Sequence, residues 1–475
     1  MRDHSKHIEM GREQAVAALL ARCSFDPPAQ VVPVRDSIGR VLARDVTSLV
    51  SMPGALTCRM DSVAVRFDDF VDPDAPAPEL GEGRAEQGSD AASGASREPS
   101  TPTRVPDTSA WERGVQWQFA NTGVAMPAGF DTALRIEDVR VTVDETGAER
   151  VAFERAPFRR GEGTEPAGSR MRPGDLIAPA GTTVSPLIAA SVASGGHADV
   201  AVVARPRVAF IPTGNELVPV SADAPATKNF ETNSIMVAGK VRQWGGEPVV
   251  WPIVPDKRDQ IKEALLAAAA SCDIVIINGG SSKGSDDWTC EVLEEIGEVL
   301  CHETSHGPGH HTSMSVLDGK PVIGISGPPM GAEFTTDFYL LPVMMRWFGR
   351  DERIPHVTVT LAEDFPAGGP GGPGGPGGRR GPGGHDGPGG PGRRGPGGPG
   401  GPGGRPMSPD FFAVRQLIVA RQPDGSLLAT PVRREDGAAT VDRANAFYRF
   451  HPQPDQPKPH AGDRIEVELR WPYVI

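Results

Sequence analysis

Cysteine is scarce in this chain: five among 475 residues, an odd number, scattered at Cys23, Cys58, Cys272, Cys290 and Cys301. No two form a Cys-x-x-Cys pair, which excludes a disulfide scaffold and a zinc ribbon and fits a reducing compartment. Positive charge is also short, 48 Lys+Arg against 61 Asp+Glu, a formal −13. A nucleic-acid partner is therefore excluded as the main one, because phosphate binding wants a basic surface. No apolar run approaches the 18 residues of a membrane span, and the opening Met-Arg-Asp-His-Ser-Lys-His leads into no apolar signal core, so a cytoplasmic location is expected.

Glycine and proline, by contrast, are abundant, with 58 and 48 residues. All but seven of residues 368–406 are Gly or Pro. The Gly-Gly-Pro period breaks at Arg379-Arg380, His385-Asp386 and Arg393-Arg394, so a flexible loop is expected rather than a collagen-like helix. Five Arg against one Asp leave a weak electrostatic tether as the other reading. Residues 71–110 offer only Val71, Leu80 and Val105 as larger aliphatics and read as a disordered insertion, since they cannot offset their ordering entropy by burial.

The remainder reads as multi-domain, α/β plus β. Residues 8–22 space apolar side chains helically, and a second helix, SPLIAASVASGG, is expected to pack back on them. From 207 the pattern alternates: RVAFIPT, PVVWPIV, DIVIINGG and PVIGISG as strands, with helices NSIMVAGKVRQW, RDQIKEALLAAAA (capped by Asp256), DWTCEVLEEIG and AEFTTDFYLLPVMMRWF. Near-continuous apolar strands alternating with helices predict a parallel sheet covered on both faces. HVTVTLAEDF, FFAVRQLIVARQ, SLLATPV and DRIEVELRW predict a C-terminal β domain. The expected boundaries are 1–61 with 156–204 as an N-terminal linker-type domain, 62–155 as a small β domain, 205–350 as the central α/β domain, and 351–475 as the C-terminal β domain.

Ligands bind open parallel sheets beyond the carboxyl ends of the strands. Those ends carry Thr213-Gly214-Asn215-Glu216, then Asn278-Gly279-Gly280-Ser281-Ser282-Lys283-Gly284-Ser285-Asp286-Asp287, then Ser326-Gly327-Pro328-Pro329. Glycines admit backbone N–H groups to an anion, and Asp286 and Asp287 are hard oxygen ligands of the kind Mg²⁺ uses. Either can also be a helix cap. The second run is neither a Walker loop nor a Gly-x-Gly-x-x-Gly turn. Residues 301–311 hold four of the eleven histidines, His302, His306, His310 and His311. They read as a metal site, a loop presenting imidazoles to an anion, or surface side chains. Met60-Asp61 is a turn or a site.

In order along the chain, Val32–Asp45 (VPVRDSIGRVLARD), Met60-Asp61-Ser62-Val63-Ala64-Val65-Arg66, Asn121-Thr122-Gly123 with Pro127-Ala128-Gly129-Phe130-Asp131, Pro179-Ala180-Gly181-Thr182, Thr213–Leu217 and Gly279-Gly280-Ser281 with Asp286 or Asp287 resemble the molybdopterin molybdenumtransferase family. The resemblance runs from about residue 10 to 350 and extends to the C-terminal β domain. It implies an elongated, four-part subunit with a molybdopterin-binding α/β domain, and a homodimer. It further implies that molybdate enters adenylated molybdopterin with release of AMP and Mg²⁺ dependence, and that apo-molybdoenzymes are partners. Site positions fall on Asp61, Glu216, Asp286 and Asp287 as catalytic groups. Thr213, Gly214, Asn215, Gly279, Gly280, Ser281, Ser282, Lys283, Gly327 and Pro328 fall on binding positions, and Asp286, Asp287, His310 and His311 on the metal and oxyanion end. The sequence departs from the family where an acid reads Leu56, where the lysine-bearing anion loop reads Gly307-Pro308-Gly309-His310-His311, where Thr-Gly-Asp-Glu reads Thr-Gly-Asn-Glu, and where Pro-Gly-Asn-Pro reads Gly327-Pro328-Pro329-Met330. A tungstate-preferring transferase and a non-catalytic pterin carrier are the other readings.

Overall fold

The computed structural model describes residues 8–74, 102–221, 223, 225–279, 288–351, 354–366, 408, 410–433, 443–451 and 458–470. The Gly-Pro tract and residues 75–101 of the expected insertion lie outside them. The chain divides into two compact units, Gln30–Val202 and a second made of Met1–Ala29 with Val203–Ile475.

Within Gln30–Val202, the strand Ser62–Val65 lies antiparallel between Trp117–Ala120 and Thr132–Arg135. Phe70, Trp117, Leu134 and Phe153 form its core. A second core gathers Val32, Leu42, Val46, Val184, Val192 and Val202. Here helix Pro186–Ser194 begins at Ser185, whose Oγ accepts the Ile188 N–H at 3.2 Å, a side-chain cap for an otherwise orphaned donor. Residues 102–110, expected to belong to a disordered insertion, are ordered: Thr103 Oγ1 donates to Pro157 O at 2.7 Å, and Thr108 Oγ1 to Val151 O. Long-range hydroxyl-to-backbone bonds supply there what aliphatic burial does not.

The other unit is built on a six-stranded sheet in the order Glu247–Val250, Arg207–Pro212, Ile274–Asn278, Lys320–Ile325, Ser313–Leu317, Glu298–Cys301. The first four are parallel; Ser313–Leu317 runs antiparallel to both its neighbours, Lys320–Ile325 and Glu298–Cys301, so the sheet is mixed and not wholly parallel as expected. Ala209, Ile211, Val275, Ile277 and Val322 pack on helices Arg258–Ser271 and Thr289–Ile296. The opposite face is covered by helix Asn233–Gln243 and by the helical run 329–347. Each fully buried Ile or Val contributes about 1.5–3 kcal/mol, which is why these strands read as unbroken apolar runs. The 329–347 run contains a π turn at Thr336–Leu340, next to Pro342, which has no N–H for a regular turn.

Helix Arg12–Arg22 buries Ala15 and Leu19 against Ser313–Leu317, Glu298–Cys301 and Leu341–Trp347. Helix Pro186–Ser194 packs on Val34–Ser37 and Leu176–Ala178. Each of these two helices buries its apolar face within its own unit.

In the C-terminal part, Phe412–Arg421, Leu427–Pro431, His356–Leu361, Arg464–Leu469 and Ala446–Phe450 form a sheet that closes through a further pairing of Phe412–Arg421 with Ala446–Phe450. Leu361, Leu417, Val419, Ala429, Ala446 and Val467 fill the closed barrel. Where it meets the α/β part, Lys240 Nζ lies 2.6 Å from Asp337 Oδ1 and 4.0 Å from Glu333 Oε1, and Glu333 also pairs with Arg470. Burial pulls the lysine and this arginine below their ordinary values. Among the described residues no helix is long and apolar enough to cross a membrane.

Candidate functional site

The register of the parallel strands places Pro212 beside Asn278, and Asn278 beside Ile325. Three strand ends therefore stop at one level. Thr213, 3% exposed, donates from both N (2.9 Å) and Oγ1 (3.0 Å) to Asn278 O. Gly279 N donates to Ile325 O at 3.2 Å. The buried Asn278 amide continues the lock, its Nδ2 donating to Ser326 O at 2.9 Å while its Oδ1 accepts from Asn233 Nδ2 at 2.9 Å. Asn233 Nδ2 donates also to Gly327 O at 2.8 Å. Buried amides with matched partners fix one geometry, because every alternative leaves a polar group unpaired at about 1–3 kcal/mol.

Gly279 is forced to be glycine twice over. Its φ is +102°, and a Cβ there would lie 2.8 Å from both Thr213 O and Thr213 Oγ1. The missing Cβ is what lets the two strand ends approach backbone to backbone.

Above this floor, Asn215, Glu216, Gly327 and Pro328 are exposed. Asn215 N donates to Asp256 Oδ2 at 2.9 Å, and Asp256 N donates back to Asn215 Oδ1 at 3.3 Å. Asp256, expected to cap helix Arg258–Ser271, instead braces this loop; the helix begins at Lys257 without a side-chain cap. Lys228 Nζ donates to Asn215 O at 2.6 Å. Glu231 accepts from Ser234 N at 2.8 Å at the start of helix Asn233–Gln243. The described rim thus holds Glu216, Glu231 and Asp256 against Lys228.

The histidine segment splits. His302 and His306 are buried, so they present no imidazole to solvent. His302 accepts the Ile8 N–H at Nδ1 (3.3 Å), which leaves Nε2–H to donate to Glu294 Oε1 at 2.9 Å. His306 lies among Phe338, Tyr339 and Phe412. Only His310 is exposed and His311 half-buried; their ring centroids are 3.9 Å apart, and His311 Nδ1 lies 3.1 Å from Glu303 Oε1. Their loop adjoins the strand ends: a Cβ on Gly331 would come within 2.7 Å of Ser326 Oγ and 3.3 Å of Gly309 Cα. Among the described residues no three His, Cys, Asp or Glu side chains converge as a metal site.

Asp61 belongs to the Gln30–Val202 unit, at the head of the Ser62–Val65 strand. Its Oδ1 accepts from Thr122 N (2.9 Å) and Thr122 Oγ1 (3.1 Å), and the side chain is exposed. Thr213, Gly214, Asn215, Glu216, Gly279, Gly327 and Pro328 are thus brought to one edge, with His310 and His311 beside it. Gly280, Ser281, Ser282, Lys283, Asp286 and Asp287 lie outside the described residues. Sequence reasoning missed Lys228, Asn233 and Asp256 as site residues, and took Asn278 only as part of a motif. An asparagine closing an otherwise apolar strand was the available signal for the last.

Two family descriptions match: "MoeA N-terminal region (domain I and II)" over residues 10–196 and "Probable molybdopterin binding domain" over 209–346. The molybdopterin molybdenumtransferase of Bacillus subtilis (strain 168) is 27% identical over 354 residues, 73% of this chain and 78% of that protein. The one from Staphylococcus epidermidis is 26% identical over 341 residues, 70% and 75% respectively. The crystal structure of a molybdopterin biosynthesis MoeA protein from Pyrococcus horikoshii has the same fold, with a TM-score of 0.67 at 21% identity, over 97% of this chain and 99% of that one. Matched in order through both family regions and across the whole fold, the chain belongs to the molybdopterin molybdenumtransferase family.

Proposed function

We propose that this protein acts in molybdenum cofactor biosynthesis, inserting molybdate into adenylated molybdopterin with release of AMP. The observation that carries the reading is the edge at which Thr213, Asn278 and Asn233 lock three strand ends level. Such an edge offers rigid backbone polar groups to a pterin nucleotide, the preorganisation a phosphate-bearing substrate needs. In this reading Thr213, Gly214, Asn215, Gly279, Gly327 and Pro328 bind the nucleotide, joined by Gly280, Ser281, Ser282 and Lys283. Glu216 and Asp61 act on the reacting phosphate, and His310, at a position where the family loop carries a lysine, faces the oxyanion together with its neighbour His311.

The described residues alone do not assemble a magnesium site; Asp286 and Asp287 are its proposed ligands. The protein is proposed to act in the cytoplasm as a homodimer that hands product to apo-molybdoenzymes.

Purified full-length protein with adenylated molybdopterin and Mg²⁺, titrated separately with molybdate and tungstate, tests the reading. AMP release saturating with molybdate supports it, and saturation with tungstate alone reassigns the metal. Tight pterin binding without AMP release refutes it and favours the carrier reading, which the replacement of an acid by Leu56 and of two loop lysines by Gly307 and His310 already motivates.

A further inference from the structure

His306 has no exposed surface, yet it is a polar ring in an aromatic cage. It stacks on Phe412 (centroids 5.5 Å apart, planes at 19°), meets Phe338 edge-on at 5.4 Å and lies 5.6 Å from Tyr339. Its Nδ1 is 3.0 Å from Pro308 O, so the proton sits on Nδ1 and is donated to that carbonyl. Nε2 is buried with no hydrogen-bond partner among the described residues. A stranded nitrogen is costly where an apolar side chain would fill the same cage without one. The imidazole is therefore explained by the donor it presents to Pro308, not by its bulk.

What that donor holds is the turn leading to His310 and His311. Gly309, at φ +106°, lies against the His306 ring: a Cβ on it would come within 3.0 Å of His306 Cε1, 2.8 Å of Thr335 Cγ2 and 3.1 Å of Gly331 O. Beyond it, Thr304 N and Thr312 N both donate to His310 O, and Thr312 Oγ1 to Gly309 O. His306 supplies the tie on the other side. The ring is in turn seated by the C-terminal barrel, because His306–Gly307 pairs in parallel register with Phe412–Ala413. Arg449 lies 5.0 Å from the Phe338 centroid and 5.1 Å from that of Phe412, closing the cage from the barrel side.

We propose that His306 is a positioning residue that sets the 307–311 turn, and that the C-terminal barrel acts on the oxyanion end of the site through it. The kinetic part of this inference rests on the transferase reading; the conformational part does not.

The test compares three substitutions in the full chain. His306→Asn keeps an N–H one bond beyond Cγ, level with Nδ1, and can still reach Pro308 O. His306→Gln carries its amide farther out, at the level of Nε2, and cannot. His306→Leu fills the cage with no donor. With ¹⁵N-histidine labelling, the His310 and His311 ring signals are expected to stay near wild type in His306→Asn and to move and broaden in His306→Gln and His306→Leu. In the AMP-release assay, KM for molybdate is expected to rise about tenfold in the Gln and Leu variants with a smaller change in kcat, the equivalent of one lost hydrogen bond. His306→Asn restores most of it.

Unmoved His310 and His311 signals in His306→Gln overturn the proposal, as does a His306→Asn variant no better than His306→Gln. The Asn and Gln variants bury similar polar groups, so their comparison holds if His306→Leu fails to fold. If wild-type protein releases no AMP, the transferase reading fails while the ring signals still decide the role of His306.

Discussion

Replacing Gly279 by alanine tests the construction of the strand edge directly. Two separate costs arise there. The first is conformational: φ of +102° lies where a side chain is strained by about 1–2 kcal/mol. The second is steric: the new Cβ meets Thr213 O and Oγ1 at 2.8 Å, on a residue whose N and Oγ1 both donate to Asn278 O, so the contact is relieved only by moving a strand end. Overpacking of this kind adds about 1–3 kcal/mol. Gly279→Ala is therefore expected to destabilise its unit by about 2–5 kcal/mol. Gly349→Ala separates the terms, since Gly349 has φ +66° and nothing within 4 Å of an added Cβ; it is expected to lose only about 1–2 kcal/mol. A chain with two compact units need not unfold in one step, so hydrogen exchange followed by mass spectrometry on peptides spanning 207–212 and 274–278 is the suitable assay. If Gly279→Ala loses no more protection there than Gly349→Ala, the Gly279–Thr213 contact is not tight and the strand ends are not locked level.

Other perturbations have equally definite outcomes. Lys240→Met leaves Asp337 without its 2.6 Å partner in a buried setting, and denaturant unfolding should show a loss of about 3–5 kcal/mol, largely recovered in Lys240→Met/Asp337→Leu. Burial depresses the His306 pKa from 6.5 to about 3, so the unfolded chain binds the extra proton between those values. Its contribution to stability is complete above pH 6.5 and falls as pH drops toward 3, by at most about 1.4 kcal/mol per unit, and His306→Leu should flatten that slope in acid unfolding curves. Asp61→Asn preserves an Oδ1 acceptor for Thr122 while removing the charge; melting temperature should hold while molybdate-dependent AMP release collapses, and retained release would remove Asp61 from the reacting centre.

Where apolar side chains dominate, the chain declares its own fold. Arg207–Pro212 and Ile274–Asn278 could only be doubly covered strands, because every residue between Val208 and Ile211 and between Ile274 and Ile277 is buried. The antiparallel edge escaped notice because Ser313 and Ser315 occupy buried positions that patterning assigns to hydrophobes. Small hydroxyl side chains pack there against Gly324, whose missing Cβ leaves room for Ser313 Oγ. Helix Arg12–Arg22 shows the limit of periodicity, which reveals that a face exists but not what covers it. The histidine segment shows the same limit for chemistry. Gly-Pro-Gly correctly argued against a helix, whereas the burial of His306 depends on Phe338, Tyr339 and Phe412, at least 32 positions away in a chain of 475. Asp256 read as a helix cap because capping is local, and its actual partner, Asn215, arrives from another strand end.

The quartet of Lys240, Asp337, Glu333 and Arg470 bears on how this protein can be recombined. Its two cations and two carboxylates balance, yet they come from different parts of the chain: three from the α/β part and Arg470 from the end of the last barrel strand's segment. A crossover placed in the short stretch after helix Leu341–Trp347, the natural seam for exchanging the barrel, would part Glu333 from Arg470 and leave a buried carboxylate facing foreign chemistry. A chimera would inherit that imbalance even if both halves folded well alone. The barrel is therefore matched to its own α/β partner, and shuffling it requires Glu333 and Arg470 to be exchanged together.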